Sequence, residues 1–382
     1  MKKVLLIYPY FNQLNLIKNF SSRISDRGVQ IDCVCYANLA VVRHSGVHWP
    51  SFIKVLFIVL DTTRNTFLGK CIYAVVARYL KNTIVRKLIL NYDLIDFHSY
   101  TTAYNPLMTF CVKNQIPFDI TNWGSDVMRA SQKSLELQRY GYEHCRYIKS
   151  GDSLHIERNL QFKHEFNSKE KVLYFGNSDF DVIDNLEEKT VQNTKARICG
   201  QNANKMIIVC GYNGSTHQNH IEMIESICAL TKEKKDKIYL VIPMTYGATA
   251  DYLNEVQSKL NQTGLSYTIL STYLSTEDNA ALRWFADIVV NIQDTDALAG
   301  SLMDHLYCGN VCIFGEWLNY IPYDRNQVFY LKTSRQTLSE KIDYAIDHYW
   351  ELKEKCVNNH DILKENFSWN KIIDKWTEVY GE

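Results

Sequence analysis

Much that would narrow the function of this chain is missing from it. Its eleven cysteines include no C-x-x-C pair, so neither a thioredoxin-like redox site nor a cysteine-based zinc site is indicated. Cys33-Val34-Cys35 lies in a strand-like run that would turn both thiols to one face. Free thiols buried in a reducing cytoplasm are the simplest account. No G-x-G-x-x-G follows a predicted strand, so a dinucleotide cofactor lacks its loop. No D-x-D-type acid cluster stands out at a predicted site loop, and no metal is expected. Formal net charge is zero, and no nucleic-acid partner is expected. The most apolar run, residues 52–60, contains Lys54 and ends at Asp61, so nothing in it spans a membrane. Lys2-Lys3 precedes only a short apolar stretch before Pro9, too short for a secretory h-region. The expected location is the cytoplasm, with the inner face of the plasma membrane left open.

What is present is the composition of a folded protein. The chain of 382 residues is 46% hydrophobic and 22% charged, without low-complexity tracts. That length suits two domains rather than one core. The neutral total hides an asymmetry, since residues 1–100 carry 13 Lys+Arg against 5 Asp+Glu. Residues 50–92 interleave apolar side chains with Lys54, Arg64, Lys70, Arg78, Lys81, Arg86 and Lys87. Two readings stay open for them: helices lying on anionic lipid, or core helices with a basic solvent face.

Read in order, the periodicity alternates strand and helix. Residues 3–8 (KVLLIY) predict a buried parallel strand, 14–26 a helix ended by Gly28, and 29–36 a second strand. Asn12 and Gln13 in the first loop are weak site candidates. Further strands are predicted at 94–97, ending at His98, and at 117–121, followed by Asn122-Trp123-Gly124-Ser125-Asp126. Both polar clusters stand at carboxyl ends of predicted parallel strands, where α/β proteins place their sites. Residues 185–204 read as a connection between domains. A second α/β series then begins at 206–210, continues through the loop 211–220, and closes with an amphipathic helix at 369–380. Two Rossmann-like parallel sheets facing a cleft are the expected architecture. The expected boundaries are 1–184, a linker at 185–204, 205–364, and a terminal helix at 365–382 crossing back to the first domain.

One stretch concentrates the chemistry: residues 296–310, DALAGSLMDHLYCGN, followed by apolar 311–314. It offers Asp296, a small-residue turn at Gly300-Ser301, a helix start, Asp304 eight residues after the first acid, and a stop at Gly309-Asn310. A helix opening on Gly-Ser leaves N–H groups and the positive dipole end free for a phosphate.

With these elements in place, the chain resembles GT-B glycosyltransferases, the two-Rossmann-domain enzymes that hold a nucleotide sugar. Asp296 and Asp304 have the spacing of the E-x7-E signature of family 4, with Asp replacing both Glu residues. STEDNAALRWFADIVVNI resembles the segment before that signature, and Phe367-Ser368-Trp369 with Trp376 and Tyr380 its terminal helix. The loop 211–220 and Val241-Ile242-Pro243-Met244-Thr245-Tyr246-Gly247 resemble bacterial acetamido-fucosyl transferases that act on lipid-linked precursors.

The resemblance implies transfer of a sugar from a UDP- or dTDP-sugar co-substrate to a hydroxyl of a saccharide, with a lipid-linked acceptor in bacterial surface glycan assembly as one case. It implies catalytic roles for Asp296, Asp126 and His98. Donor binding would fall to Gly211, Asn213, Gly214, His217, His220, Gly300, Ser301 and Asp304. The alternative is a non-catalytic GT-B subunit that binds an active partner or a saccharide. One departure from family 4 stands out: residues 206–230 contain no Arg or Lys where the family holds its diphosphate.

Overall fold

The computed structural model describes residues 2–9, 14–37, 41–43, 46–48, 79 and 81–382. Asn12, Gln13 and most of the basic, apolar stretch 50–92 lie outside the described residues. The chain divides into two compact units, residues 1–176 with 369–382, and residues 177–368.

The first unit is built on eight strands: β1 (Lys3–Tyr8), β2 (Gln30–Cys35), β3 (Val41–Arg43), β4 (Gly46–His48), β5 (Leu94–His98), β6 (Phe118–Thr121), β7 (Ile148–Ser150) and β8 (Glu170–Val172). Their order is β4-β3-β2-β1-β5-β6-β7-β8, parallel from β2 to β8, with the short β3 and β4 antiparallel at one edge. Central β1 is apolar at nearly every position and buried from Val4 to Tyr8, as a strand covered on both faces must be. The helix Trp369–Gly381 belongs to this unit, as the sequence implies. Its buried face carries Trp369, Ile372, Ile373, Trp376 and Tyr380. Trp376 Nε1 donates to the Tyr174 carbonyl at 2.8 Å, and Tyr380 Oη donates to Asp96 at 2.6 Å.

The second unit holds six parallel strands: β9 (Met206–Cys210), β10 (Ile238–Pro243), β11 (Tyr267–Leu270), β12 (Ile288–Asn291), β13 (Val311–Gly315) and β14 (Leu331–Thr333). Their order is β11-β10-β9-β12-β13-β14. The chain builds outward from β9 in one direction, then restarts on its other side at β12. Loops leaving adjacent β9 and β12 therefore diverge, which opens a crevice at the carboxyl ends of these strands.

The expected linker at 185–204 is not one. Residues Glu188–Cys199 form a helix of the second unit with Val191, Thr194, Ile198 and Cys199 buried. Those positions recur at helical spacing, and the polar residues between them occupy the outer face. Thr194 Oγ1 donates to Asp278 at 2.7 Å, and Arg197 pairs with the same carboxylate. The division falls instead between Gly176 and Asn177.

Candidate functional site

The loop after β9 starts at Gly211, whose φ of +68° is left-handed. An added Cβ would stand 2.8 Å from Gln218 Oε1 and 3.1 Å from His220 Nε2, so both the turn and the close approach require glycine. Most N–H groups of this loop are already taken. Gly211 N donates to Val290 O, Gly214 N to Tyr246 O, Tyr212 N to Gln218 Oε1, and Ser215 N to Asn213 Oδ1. The expectation that Gly211 and Gly214 would cradle a phosphate through these groups does not survive, because the loop spends them on its own shape. Asn213, Gln218 and His220 are buried polar side chains of this loop.

His217 and His220 divide differently from the expectation. His217 is exposed and lies 2.9 Å from Asp294. His220 is fully buried, its Nδ1 3.2 Å from Tyr252 Oη and its Nε2 without a partner among the described residues. Burial pushes its pKa down to about 4, so the ring is neutral at physiological pH. It supplies no positive charge to a leaving phosphate.

The loop after β12 carries Asp296. Its Oδ2 accepts from Ala299 N at 3.0 Å and from Tyr320 Oη at 2.7 Å. Burial raises its pKa, and the bonds from Tyr320 and the backbone oppose that rise. Leu298, two residues on, has a φ of +73°, a conformation that costs energy for a branched side chain and that collects at functional loops. Asp294-Thr295-Asp296 does have the D-x-D spacing that the sequence reading passes over. The structure separates the two acids by partner: Asp294 takes His217, Asn219 and Arg335.

The helix Gly300–Tyr307 starts without a side-chain cap, and nothing stands within 4 Å of where a Cβ at Gly300 would be. Its first turn is therefore open to an anion. Asp304 lies deeper, 2% exposed, accepting from Asn177 Nδ2 at 2.6 Å. Burial, with the neighbouring Asp179 carboxylate, pushes its pKa up to about 8, against the pull of Arg283 and Asn177. Its proton is held well above the ordinary carboxylate range.

This proton has a consequence for stability. The folded pKa stands above the unfolded value of 3.8. The group's stabilisation is thus complete below that value and is lost as pH rises through about 8. Asp304→Asn keeps the shape and the bond from Asn177 but cannot ionise. Relative to wild type, it is expected to gain about 2 kcal/mol between pH 5 and pH 8.5, roughly half the ideal linkage value, because the chain relaxes around a buried charge. Melting curves at the two pH values check this; an identical offset at both contradicts it.

Arg283, which the sequence reading overlooks, completes the site. It projects from the helix Thr276–Phe285 and is 4% exposed. With Tyr212, Thr245, Tyr246, Tyr273 and Ser301 it lines a cavity of about 160 Å³. Tyr246 and Tyr273 stand at this cavity with rings parallel to within 5°. The Tyr246 hydroxyl lies in the fields of both Arg283 and Asp296.

The first-unit candidates sit in a different setting. His98 is fully buried at the end of β5, its Nε2 3.0 Å from Asp96 while its Nδ1 accepts from Trp123 Nε1 at 3.2 Å. Both ring nitrogens are engaged, burial lowers its pKa, and the ring stacks on Trp376. Asp126 accepts from the N–H groups of Tyr100, Trp123 and Gly124 and from Asn122 Nδ2, at 2.8 to 3.0 Å. Four donors hold this carboxylate as the organiser of its loop. In this geometry neither group is free to take a proton from an acceptor.

No protein-family model matches the sequence, and no curated protein matches it. Solved structures do. HepE of Anabaena in complex with UDP-glucose aligns over 100% of both chains at 14% identity and a TM-score of 0.74. A glycosyltransferase of Rickettsia africae aligns over 99% of this chain and 98% of its own, at 13% identity and a TM-score of 0.71. An α,α-trehalose-phosphate synthase of Burkholderia xenovorans aligns over 100% of both chains at 9% identity and a TM-score of 0.70. Likeness along the whole chain at such low identity is a statement about architecture, and the architecture is GT-B: two Rossmann-like parallel-sheet units, with the last helix returned to the first.

Proposed function

We propose that the protein is a glycosyltransferase that moves a sugar from a nucleoside-diphosphate sugar to a hydroxyl of a saccharide acceptor. One observation carries the reading. Beside the point where strand order reverses between β9 and β12, a buried carboxylate (Asp296) and an uncapped helix start (Gly300-Ser301) follow β12, and a buried cation (Arg283) on the helix before β12 reaches Ser301. A carboxylate suits sugar hydroxyls or an oxocarbenium-like centre, and the helix start suits the diphosphate. Tyr246 and Tyr273 offer ring faces for a uracil or thymine base.

In the reaction the anomeric carbon–oxygen bond to the diphosphate breaks and a bond to the acceptor oxygen forms. Negative charge grows on the leaving diphosphate, where the helix end stabilises it. The acceptor proton passes to a leaving phosphate oxygen if configuration is retained, as the acid spacing suggests. Inversion would require a free carboxylate base, a role to which the geometry of Asp126 gives no support.

The test is a transfer assay with UDP- and dTDP-sugars, reading release of the nucleoside diphosphate with no acceptor, with free saccharides and with lipid-linked saccharides. Acceptor-stimulated release is expected, and a preference for the lipid-linked acceptor would support a role in surface glycan assembly. Binding without any release favours the non-catalytic subunit. The occupied N–H groups of the loop after β9 are the observation on that side.

A further inference from the structure

Arg283 is a buried cation short of partners. It is 4% exposed while the adjacent Trp284 is 54% exposed, the reverse of their usual placement. Its Nε has no hydrogen-bond partner among the described residues. Its Nη2 donates one long bond, 3.3 Å, to Ser301 Oγ. The paired carboxylate oxygen, on Asp304, lies 4.0 Å away, and burial beside Asp179 raises that acid's pKa, which weakens it as a counter-ion. Burying a guanidinium is costly unless it is paired and hydrogen-bonded. An incomplete pairing beside a cavity points to a ligand that completes it.

Two positive features of separate origin meet at that cavity. One is the Arg283 side chain; the other is the start of the helix Gly300–Tyr307, reached through Ser301. The space, about 160 Å³, is below the ~300–1,000 Å³ that encloses a drug-sized ligand, so it suits one polar group of a larger molecule. Residues 206–230 supply no Arg or Lys to compete for that group.

We propose that Arg283 is the phosphate-binding cation of the donor site, holding the diphosphate of a nucleotide sugar together with the helix start at Gly300-Ser301. The assignment rests on the donor-site reading above and names the residue that stands in for an absent basic pair. Arginine fits the task because its planar fork gives two parallel N–H···O bonds to phosphate oxygens.

Calorimetry with inorganic pyrophosphate, UDP and uridine separates the possibilities, using wild type, Arg283→Gln and Arg283→Met. Two neutral replacements, one polar and one apolar, guard against a folding failure. Both are expected to weaken pyrophosphate and UDP at least about tenfold while uridine binding stays the same. UDP binding equal to wild type in a folded variant overturns the assignment and leaves the donor site standing. A parallel loss of uridine assigns Arg283 to packing and also overturns it. Pyrophosphate binding that depends on Arg283, with no binding of UDP, upholds the anion site and removes the uridine-nucleotide reading of the donor. A wild type that binds none of these ligands overturns both.

Discussion

Asp296→Asn is expected to lower the turnover of sugar transfer about a hundredfold, roughly 2.7 kcal/mol in barrier, while nucleotide affinity changes little. The substitution is nearly isosteric. An amide can keep the bonds from Tyr320 Oη and Ala299 N through its oxygen, so the loop should hold its shape. What disappears is the negative charge, held in a buried position by a tyrosine and a backbone N–H rather than by a cation. A preorganised charge of this kind acts where charge develops in the transition state, and water cannot replace it. Burial raises the Asp296 pKa, so the acid limb of the pH–rate profile should lie above the ordinary aspartate value and vanish in the variant. A folded Asp296→Asn protein with wild-type turnover would remove this residue from the mechanism.

A second large effect is expected in the first unit, which does not carry the donor-site residues. Lys149 is fully buried, 2.6 Å from Asp96 and 3.1 Å from Asp119. Asp119 keeps Arg146 at 2.9 Å, but among the described residues Asp96 has no second Lys or Arg partner. Its other partners are Thr121 Oγ1, Tyr380 Oη and the His98 ring. Burial pushes the Asp96 carboxyl up in pKa, yet Lys149 and His98 hold it well below the usual range. Lys149→Met strands that carboxylate and should cost the first unit about 3–5 kcal/mol.

The sign of the pH dependence follows from the depressed pKa. In the wild type, stability from Asp96 is present above the unfolded pKa and is lost as pH falls through the folded one. Without Lys149 the carboxyl takes a proton instead, so the deficit should be larger at pH 8 than at pH 5. Urea unfolding with hydrogen exchange of the strand Ile148–Ser150 as local probe measures it. A deficit that does not change with pH would mean the lysine acts through packing alone.

Apolar runs such as KVLLIY and MIIVC are strands in the sequence and in the structure, because a strand buried on both faces needs an unbroken apolar stretch. The helix at 300–307 and its glycine stop were legible because caps are local chemistry. Residues 185–204 misled because a helix with few buried positions looks polar until its partner, the helix Thr276–Phe285, is placed against it. Side-chain roles were harder. His98 and Asp126 have the right type at the right strand ends, yet whether such a group faces a ligand or its own loop depends on partners distant in sequence, among them Trp123 for one and Tyr100 for the other. Arg283 was hidden for the opposite reason. It adjoins a tryptophan on an amphipathic helix, and the default is to bury the tryptophan.

The second unit is expected to hold a nucleotide-sugar site at the carboxyl ends of β9 and β12. Calorimetric titration of the wild-type protein with a panel of UDP- and dTDP-sugars tests it most directly. At least one donor is predicted to bind with a Kd of about micromolar order, to be displaced by its own nucleoside diphosphate, and to lose affinity in Arg283→Gln. Failure of every donor and both nucleoside diphosphates to bind the folded protein would contradict it.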